Sequence, residues 1–313
     1  MNKHLVIVES PAKCKKIENI LGNEYKCIAT FGHICELSSL EHIDFKKYEK
    51  NKYKLIKSKK SNNEKLEKEI KKTKLADKKI IIATDNDREG EGIAYHLCYF
   101  FDLPIETTPR IIFNEITKNA IHNAINNQTI INMNKIHSQQ TRQILDLCLG
   151  FKISPLLWKY VYYGLSAGRC QTPALNMIYD SEQNIKLYME NPNYEWNIKG
   201  IFGDKKWEFK LNYKNDLFET KNIKNDFLDK CINYDFYAEK NKQNTLERRF
   251  PSSPLMTSTL QQQCSKMFGF SSKMTMKYAQ DLYENGLITY MRTDSTDLSK
   301  EAIHSYRDFI QKN

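Results

Sequence analysis

Residues 80–91, IIIATDNDREGE, decide the fold class. The stretch opens with four apolar residues and a threonine, and a short apolar run of this kind bounded by a turn is typical of a buried strand over 80–84. Its acidic turn leads into residues 91–101, whose apolar spacing predicts a helix. A strand that passes through a short turn into a helix is the repeating unit of an α/β sheet.

The N-terminus has the same order of elements. The apolar run HLVIV at 4–8 is followed by Glu9 and then by Ser10 and Pro11, a favourable N-cap and first residue for the helix AKCKKIENIL. A third strand, RIIFNEI, is predicted at 110–116. Because strands alternate with helices, the sequence predicts a largely parallel α/β sheet in this part of the chain.

The rest of the chain changes pattern twice. A long helical part is followed by two runs of alternating polar and apolar residues, YEWNIKGIF and KKWEFKLNY, which predict antiparallel strands. The sequence PSSP then marks a boundary, after which LMTSTLQQQCSKMFGF and SKMTMKYAQDLYENG predict two helices. We therefore predict a multidomain α/β, α and β protein with these boundaries: 1–120 (α/β, with a Lys-rich helical insert at 46–79), 121–190 (helical), 191–250 (β-rich) and 251–313 (helical).

The positive charge of the chain comes from one segment. The formal net charge is +10, and residues 46–79 contain 15 Lys but only five Asp or Glu, which accounts for the whole excess. Runs of charge usually form a solvated helix face, whereas a concentrated basic patch can also bind an anionic partner. Overall basicity therefore does not by itself indicate nucleic acid.

Composition excludes several classes of protein. No apolar run approaches the roughly 20 residues of a membrane span, and the N-terminus lacks the pattern of a signal peptide. The eight cysteines are scattered and form no CxxC pair, so neither a zinc ribbon nor a disulfide framework is indicated. We expect an intracellular, cytoplasmic protein without a membrane partner.

Acidic residues follow both predicted N-terminal strands. Asp85, Asp87 and Glu89 alternate just after the second strand, and Glu9 ends the first strand in the same way. Open α/β sheets bind ligands at the carboxyl ends of their strands, so the four side chains are expected to meet there. Carboxylates gathered in this way need a cation, and Mg²⁺ prefers oxygen ligands. The alternative is a solvated acidic turn that caps the following helix.

Short motifs along the whole chain resemble those of one enzyme family. VIVESPAK (6–13) and ATDNDREGE (83–91) resemble a Toprim domain, the metal-binding α/β module of topoisomerases and some primases and nucleases. Five further motifs resemble type IA DNA topoisomerases and occur in the family's order. They are FGHICEL (31–37), SPLLW (154–158), GLSAGRCQTPAL (164–175), TSTLQQ (257–262) and LYENGLITYMRTDST (282–296). YMRTDST is more similar to the bacterial topoisomerase I branch, and SAGRCQTPAL to the topoisomerase III branch.

The resemblance implies a reaction and a set of catalytic residues. Members of the family cut one DNA strand through a 5′-phosphotyrosine, pass another strand through the break and reseal it, which relaxes negative supercoils without ATP. Tyr290 matches the nucleophile, and Arg292 matches the arginine beside it. Glu9 matches a catalytic acid that also coordinates metal. Lys13 matches a lysine near the scissile phosphate, where it protonates the leaving 3′ oxygen or neutralises the phosphate.

The resemblance also assigns the predicted metal site. Asp85 and Asp87 match Mg²⁺ ligands of the family, and Glu89 is a third candidate beside Glu9. Asn86 replaces the proline that is commonest between the two aspartates, a mild departure because the flanking carboxylates bind the metal.

Further residues match positions of the family that contact DNA in single-stranded regions of negatively supercoiled duplex. They are a histidine, five residues on one helix and a six-residue loop: His33; Arg142, Gln143, Asp146, Phe151 and Trp158; Ser166, Ala167, Gly168, Arg169, Cys170 and Gln171. Aromatic faces stack on bases without sequence preference, and small residues let DNA approach the backbone. For Phe151 and Trp158, packing in a core remains the alternative.

The resemblance covers the entire chain but about half of the family's core. The sequence stops 23 residues after Tyr290, and nothing in it matches the family's HEAIRP-type motif. We expect an N-terminal fragment, a truncated product, or one piece of a split enzyme completed by a second polypeptide. Two other functions stay open: a metal-dependent Toprim nuclease that hydrolyses with water, and a non-catalytic protein that binds single-stranded DNA.

Overall fold

The computed structural model describes residues 4–37, 39–44, 51–56, 60–192, 199–204, 206–210, 221–235, 237, 248 and 250–312. Its strands are β1 (His4–Val8), β2 (Tyr25–Ala29), β3 (Cys35–Glu36), β4 (Lys54–Leu55), β5 (Ile80–Ala83), β6 (Lys199–Phe202) and β7 (Trp207–Lys210). Its helices are α1 (Pro11–Leu21), α2 (Lys60–Leu75), α3 (Arg88–Phe101), α4 (Lys118–Asn126), α5 (Met133–Tyr160), α6 (Gln171–Glu190), α7 (Lys221–Cys231), α8 (Thr257–Phe268), α9 (Ser272–Glu284) and α10 (Lys300–Lys312). The chain divides into two compact units, Met1–Arg169 with Ser252–Asn313, and Cys170–Pro251.

A three-stranded parallel sheet with the order β2-β1-β5 organises the first unit. Both faces of its central strand are buried, as expected for a parallel sheet between helices. Leu5 and Ile7 belong to one apolar cluster, and Val6 and Val8 belong to a second cluster on the opposite face. The predicted α/β sheet is therefore confirmed.

The predicted strand at 110–116 is wrong. In the described part of the chain, this segment makes only isolated bridges at Arg110, to Ile82 and to Thr129. The amide of Ile82 donates to Pro109 O (2.9 Å) and Ile111 N donates to Ile82 O (2.9 Å), after which the pairing stops. The actual third strand, β2, escaped prediction because its sequence, YKCIA, is interrupted by a lysine and contains one β-branched residue, as suits a strand whose residues are mostly half-buried.

The turn after β5 is shorter than predicted. The strand ends at Ala83 rather than at residue 84, and α3 begins at Arg88 rather than at residue 91. Asp87 accepts a hydrogen bond from Gly90 N (2.8 Å), so its side chain caps the first turn of the helix. The acidic turn thus caps the helix, as the alternative interpretation predicted, but it is not solvated, because Asp85 is buried.

The Lys-rich insert is only partly helical. Its helix α2 buries Leu66 and Ile70 against the core and leaves most of its lysines in solvent. Before that helix, β4 pairs antiparallel with β3. Residues 45–50 and 57–59 of this region lie outside the described residues. The amphipathic helix that Leu66, Ile70 and Leu75 suggest is confirmed at the first two positions, whereas Leu75 is exposed.

The second unit contains the predicted antiparallel pair. Strands β6 and β7 pair with Lys199 opposite Lys210 and Phe202 opposite Trp207, next to the helices α6 and α7. Helix α7 was not predicted. Residues 193–198, 205 and 211–220, where the predicted strands begin or continue, lie outside the described residues. Over the described ranges, no helix is long and apolar enough to cross a membrane.

The C-terminal segment returns to the first unit. The predicted helices α8 and α9 are confirmed, and α10 follows them. Tyr283 of α9 and Tyr290 beyond it join the apolar cluster that contains Val6 and Val8. The predicted domain boundaries stay predictions, but this packing brings residues from the two ends of the chain to one edge of the sheet.

Candidate active site

The site begins where two adjacent parallel strands end. Val8 of β1 lies opposite Ala83 of β5, so the residues that follow them emerge side by side. The amide of Asp85 donates to Glu9 Oε1 (2.8 Å). Burial, and then the negative charge of Asp85, raises the pKa of Glu9 to about 7. The structure therefore brings Glu9 and Asp85 together in a buried place.

Lys13 is the cation nearest to this pair. It lies one helical turn after Glu9, its side chain is completely buried, and its ammonium forms an ion pair with Asp85. Its Nζ atom also lies 5.0 Å from the centre of the Tyr283 ring, within the range of a cation–π interaction. Lys13 is therefore part of the site and not a solvated lysine of α1.

Asp87 joins the acidic turn to the C-terminal segment. Its Oδ2 atom accepts a hydrogen bond from the Tyr290 hydroxyl (2.6 Å) and another from Arg292 Nη1 (3.1 Å). Burial alone would raise the pKa of Asp87, but the bonds from Tyr290 and Gly90 N and the charge of Arg292 lower it. One carboxylate thus orients both members of the predicted Tyr-x-Arg pair.

Tyr290 is both a packing residue and a polar member of the site. Its side chain is 7% exposed, its ring lies 5.1 Å from that of Tyr283, and its amide donates to Asn114 O (2.7 Å). Burial, then the bond to Asp87 and the charge of Asp85, raises the pKa of the Tyr290 hydroxyl. The hydroxyl therefore stays protonated and donates a hydrogen bond to Asp87.

Glu89 and His33 form a neighbouring pair. His33 Nε2 lies 3.0 Å from Glu89 Oε2, and this hydrogen bond lowers the pKa of Glu89. The backbone turn before His33 is left-handed at Phe31 (φ 58°) as well as at Gly32 (φ 84°). A bulky residue adopts such a conformation only when its surroundings impose it, and here it carries His33 toward α3.

The four predicted metal ligands fit a hard divalent cation in their chemistry. They offer only carboxylate oxygens, and burial first, then the negative charge of Asp85, raises the pKa of Glu9. Each also has a protein donor: Asp85 N for Glu9, Lys13 for Asp85, Tyr290 and Arg292 for Asp87, and His33 for Glu89. Within the described residues, no three Asp, Glu, His or Cys side chains are already arranged to hold a metal ion.

The predicted DNA-contacting helix is α5. Phe151 and Trp158 are 51% and 43% exposed, so neither packs in a core. Arg142 is exposed, and Gln143 is half-buried. Asp146 forms a two-pronged ion pair with Arg169, Nε to Oδ1 at 2.8 Å and Nη2 to Oδ2 at 3.2 Å.

The predicted loop begins against this helix. Ala167 N donates to Ser154 Oγ of α5 (3.2 Å), and Arg169 holds Asp146. Ser166 is exposed and Gly168 half-buried in the same unit. The last two predicted residues, Cys170 and Gln171, are exposed and belong to the second unit.

Four residues support the site without having been predicted. Gly90 lies so close to the acidic turn that a Cβ atom would overlap the carbonyl oxygen of Asp85 and stand 2.9 Å from Glu9 Oε1. Arg110 donates to Asp85 O (3.0 Å) and pairs with Glu91, and both side chains are fully buried. Tyr283 contacts Lys13 and Tyr290. Gly90 and Glu91 stand in the acidic motif itself, whereas nothing in the sequence pattern marks Arg110.

Comparison with known proteins identifies the family. The family model described as DNA topoisomerase matches residues 130–313, and the Toprim domain model matches residues 4–116. DNA topoisomerase 1 of Campylobacter jejuni is 40% identical to the chain and aligns with 100% of it. The structure of full-length topoisomerase I from Thermotoga maritima matches 98% of the chain with a TM-score of 0.79 and 34% identity.

The chain spans about half the length of these relatives, 46% of the Campylobacter protein and 52% of the Thermotoga protein. The first model covers more than half of the chain, and the second covers the sheet whose edge carries the acidic residues. With its Toprim domain, the chain belongs to the type IA DNA topoisomerases, a family of isomerases.

Proposed function

We propose that this chain carries the DNA-cleavage centre of a type IA topoisomerase and forms a transient 5′-phosphotyrosine bond through Tyr290. One observation carries the proposal: the Tyr290 hydroxyl is held at 2.6 Å by Asp87 in the acidic turn, and Arg292 binds the same carboxylate oxygen. A buried tyrosine hydroxyl usually finds a hydrogen-bond partner, but here the partner is a carboxylate that also binds an arginine, an arrangement that suits a reacting phenol.

Tyr290 and Arg292 act on the scissile phosphate. The phenol oxygen attacks phosphorus, the new O–P bond joins the tyrosine to the 5′ side of the break, and the bond to the 3′ oxygen breaks. The phenol proton leaves toward the carboxylate of Asp87, to which it is already hydrogen-bonded. The guanidinium of Arg292, which is about half exposed, offers its donors to the phosphate oxygens, where charge develops.

Lys13 serves the leaving group. Its buried ammonium donates a proton to the 3′ oxygen as the old bond breaks, and Asp85 holds it in place by the ion pair. Atoms and charge balance, because the proton lost by Tyr290 and the proton gained by the 3′ oxygen cancel. Resealing is the reverse reaction, so no ATP is needed.

Glu9, Asp85 and Asp87, with Glu89 beside them, are the residues that would hold Mg²⁺. A bound Mg²⁺ supplies positive charge near the phosphate. The residues' own contribution is to keep Lys13 and Tyr290 oriented and to place Glu9 next to the Asp85 amide.

The exposed face of α5 binds the single strand on its way to this centre. Phe151 and Trp158 offer aromatic faces to unstacked bases, and Arg142 offers a charge to phosphate. The ion pair between Asp146 and Arg169 orients the guanidinium beside the same helix.

Trapping the covalent adduct tests the proposal. The protein is mixed with Mg²⁺ and a single-stranded oligonucleotide labelled at either end, then denatured and separated by electrophoresis. We expect the 3′ label to migrate with the protein and the 5′ label to appear in a shorter free fragment. Tyr290→Phe should abolish both products, whereas Tyr278→Phe, at an exposed tyrosine of α9, should leave them unchanged.

Each other result contradicts the proposal in its own way. An adduct that persists in Tyr290→Phe excludes this nucleophile. Cleavage that survives Tyr290→Phe but disappears in Asp85→Ala supports a Toprim nuclease. Salt-sensitive binding without cleavage supports a binding protein.

We propose strand passage only for a protein of the relatives' full length. The residues that this chain lacks relative to them could also be supplied by a second polypeptide. Relaxation of a negatively supercoiled plasmid, run beside the adduct assay, separates the two activities. Adduct formation without relaxation means that the chain cleaves but needs further residues to pass a strand.

A further inference from the structure

We propose that Tyr283 is a positioning residue whose aromatic ring holds Lys13 and Tyr290 beside the acidic turn. This proposal rests on the proposed function for its catalytic meaning, but the contacts themselves can be tested without DNA. Tyr283 stands in the motif LYENGLITYMRTDST, but the resemblance assigned a role only to Tyr290 and Arg292 of that motif.

The ring of Tyr283 contacts both Lys13 and Tyr290. Tyr283 is completely buried near the end of α9. Lys13 Nζ lies 5.0 Å from the centre of its ring, and the Tyr290 ring lies 5.1 Å away at an angle of 62°. The first geometry suits a cation–π interaction, and the second suits an edge-to-face aromatic pair. A single side chain therefore touches both the proposed proton donor and the proposed nucleophile.

The ring rather than the hydroxyl makes these contacts. The buried Tyr283 hydroxyl lies close to the Asp85 carboxylate, but among the described residues it makes no hydrogen bond of normal geometry. Lys13 is buried as well, and a buried ammonium needs partners that favour its charge. Asp85 is one such partner, and the electron-rich face of Tyr283 is the other.

The end of α9 is fixed on the same helix that carries Lys13. Lys16, one turn after Lys13 on α1, donates to the carbonyl of Asn285, and Gly286 N donates to Tyr283 O (2.7 Å). Gly286 has a left-handed backbone (φ 63°), a conformation that is strained for any residue with a Cβ atom. The turn after α9 thus sets the position of the Tyr283 ring against α1, independently of the acidic residues.

Chemical labelling tests the contact with Lys13 directly. In the wild type, acetylation followed by peptide mass spectrometry should modify Lys13 at least about tenfold more slowly than the exposed Lys15, since access requires local opening. Tyr283→Leu should raise the rate at Lys13 and leave Lys15 unchanged, whereas Tyr283→Phe should protect Lys13 as the wild type does. Equal protection in Tyr283→Leu and the wild type would overturn the proposal.

Adduct formation tests the consequence for catalysis. Tyr283→Leu should slow the adduct about tenfold or more because the reacting groups lose their orientation, and Tyr283→Phe should stay within about threefold. The matched control Tyr278→Leu, on the exposed side of the same helix, should have no effect.

In a Lys13→Met background, Tyr283→Leu should slow adduct formation by less than it does in the wild type, because the two residues act in part through one another. Full additivity would mean that Tyr283 does not act through Lys13.

The two experiments separate the contact from the proposed function. If the wild type forms no adduct, the proposed function is wrong, but the acetylation rate of Lys13 still tests its contact with Tyr283. If Tyr283→Leu does not fold, as seen by circular dichroism, a fluorinated phenylalanine at position 283 replaces it. Fluorination weakens the negative face of the ring with little change in size, so labelling of Lys13 should rise with the number of fluorines. An unchanged rate would overturn the proposal.

Discussion

At the scale of single residues, Tyr290 shows that packing and chemistry are not alternatives. Its ring belongs to the apolar cluster around β1, and its hydroxyl reaches the acidic turn. Burial raises its pKa, so Tyr290 is not a ready nucleophile in the free protein. In the proposed reaction, Asp87 takes the phenol proton and Arg292, bound to the same carboxylate, is in place to stabilise charge when phosphate is bound.

Gly90→Ala should damage the site through sterics alone. The new Cβ atom would overlap the Asp85 carbonyl and press on Glu9, and overpacking of this kind destabilises by about 1–3 kcal/mol. Urea denaturation measures the loss, and adduct formation should fall with it. Gly150→Ala is the control, since its Cβ would meet no atom within 4 Å and alanine favours a helix. Equal stability of the two variants would contradict the close approach.

His96 should make stability depend on pH. Burial lowers its pKa from 6.5 to about 3, and neither ring nitrogen has a partner among the described residues. As the pH falls, His96 in the unfolded chain therefore takes up a proton before His96 in the folded chain does. The contribution to stability is complete above about pH 6.5 and is lost as the pH falls toward 3.

Unfolding free energies at pH 7 and pH 5 measure this effect. His96→Leu should reduce the loss of stability on acidification by up to about 1.4 kcal/mol per pH unit. His137→Gln, at an exposed histidine of α5, should leave the pH dependence as it is in the wild type. A slope that does not change in His96→Leu would show that this histidine does not titrate in unfolding.

At the scale of elements, the acidic turn depends on a support behind it. Arg110 bonds to the Asp85 carbonyl and pairs with Glu91, whose other oxygen accepts from Asn132 N (2.6 Å). The pair is fully buried and links the end of β5, the first turn of α3 and the start of α5. The predicted strand at 110–116 is absent for this reason: the side chain of Arg110 holds the acidic turn, and the backbone of this segment pairs with neighbours only at Arg110.

Arg110→Met should strongly destabilise the protein. It leaves the charge of Glu91 buried without its partner, which typically costs about 3–5 kcal/mol. The double variant Arg110→Met with Glu91→Leu should recover part of that loss, because no unpaired charge remains. Lys71→Met, in the exposed pair with Glu67, should change stability by less than about 1 kcal/mol. Chemical denaturation of the four proteins checks the order, and equal losses for Arg110→Met and Lys71→Met would be incompatible with a supporting role.

At the scale of the whole molecule, the concentration of positive charge and the proposed strand-binding face lie on different helices, α2 and α5. The lysines of α2 from Lys65 onward are exposed, and some already have partners, such as Lys71 with Glu67 and Lys74 with the carbonyls of Phe101 and Asp102. The proposed strand-binding face, by contrast, is an exposed side of α5 that carries Phe151, Trp158 and Arg142.

Neutralising the insert therefore separates the two surfaces. Lys65, Lys68 and Lys72 are exposed on α2, and changing all three to Gln should alter affinity for single-stranded DNA by less than about twofold. Arg142→Gln should weaken binding and reduce the slope of log affinity against log salt by up to about one. Fluorescence anisotropy at several salt concentrations measures both. A reduced slope in the triple variant alone would assign the DNA to the insert.

The sequence by itself determined the sheet class, most helices and the family, because strand and helix periodicity and short motifs are local properties of the chain. It also predicted that Glu9 and Asp85 would meet, since the ends of adjacent parallel strands share one edge. Only the tertiary structure decided that Asp87 holds Tyr290, and that a ring on α9 touches Lys13. Those contacts join residues about 200 or more positions apart, and no periodicity within the chain encodes which distant side chain fills a buried space.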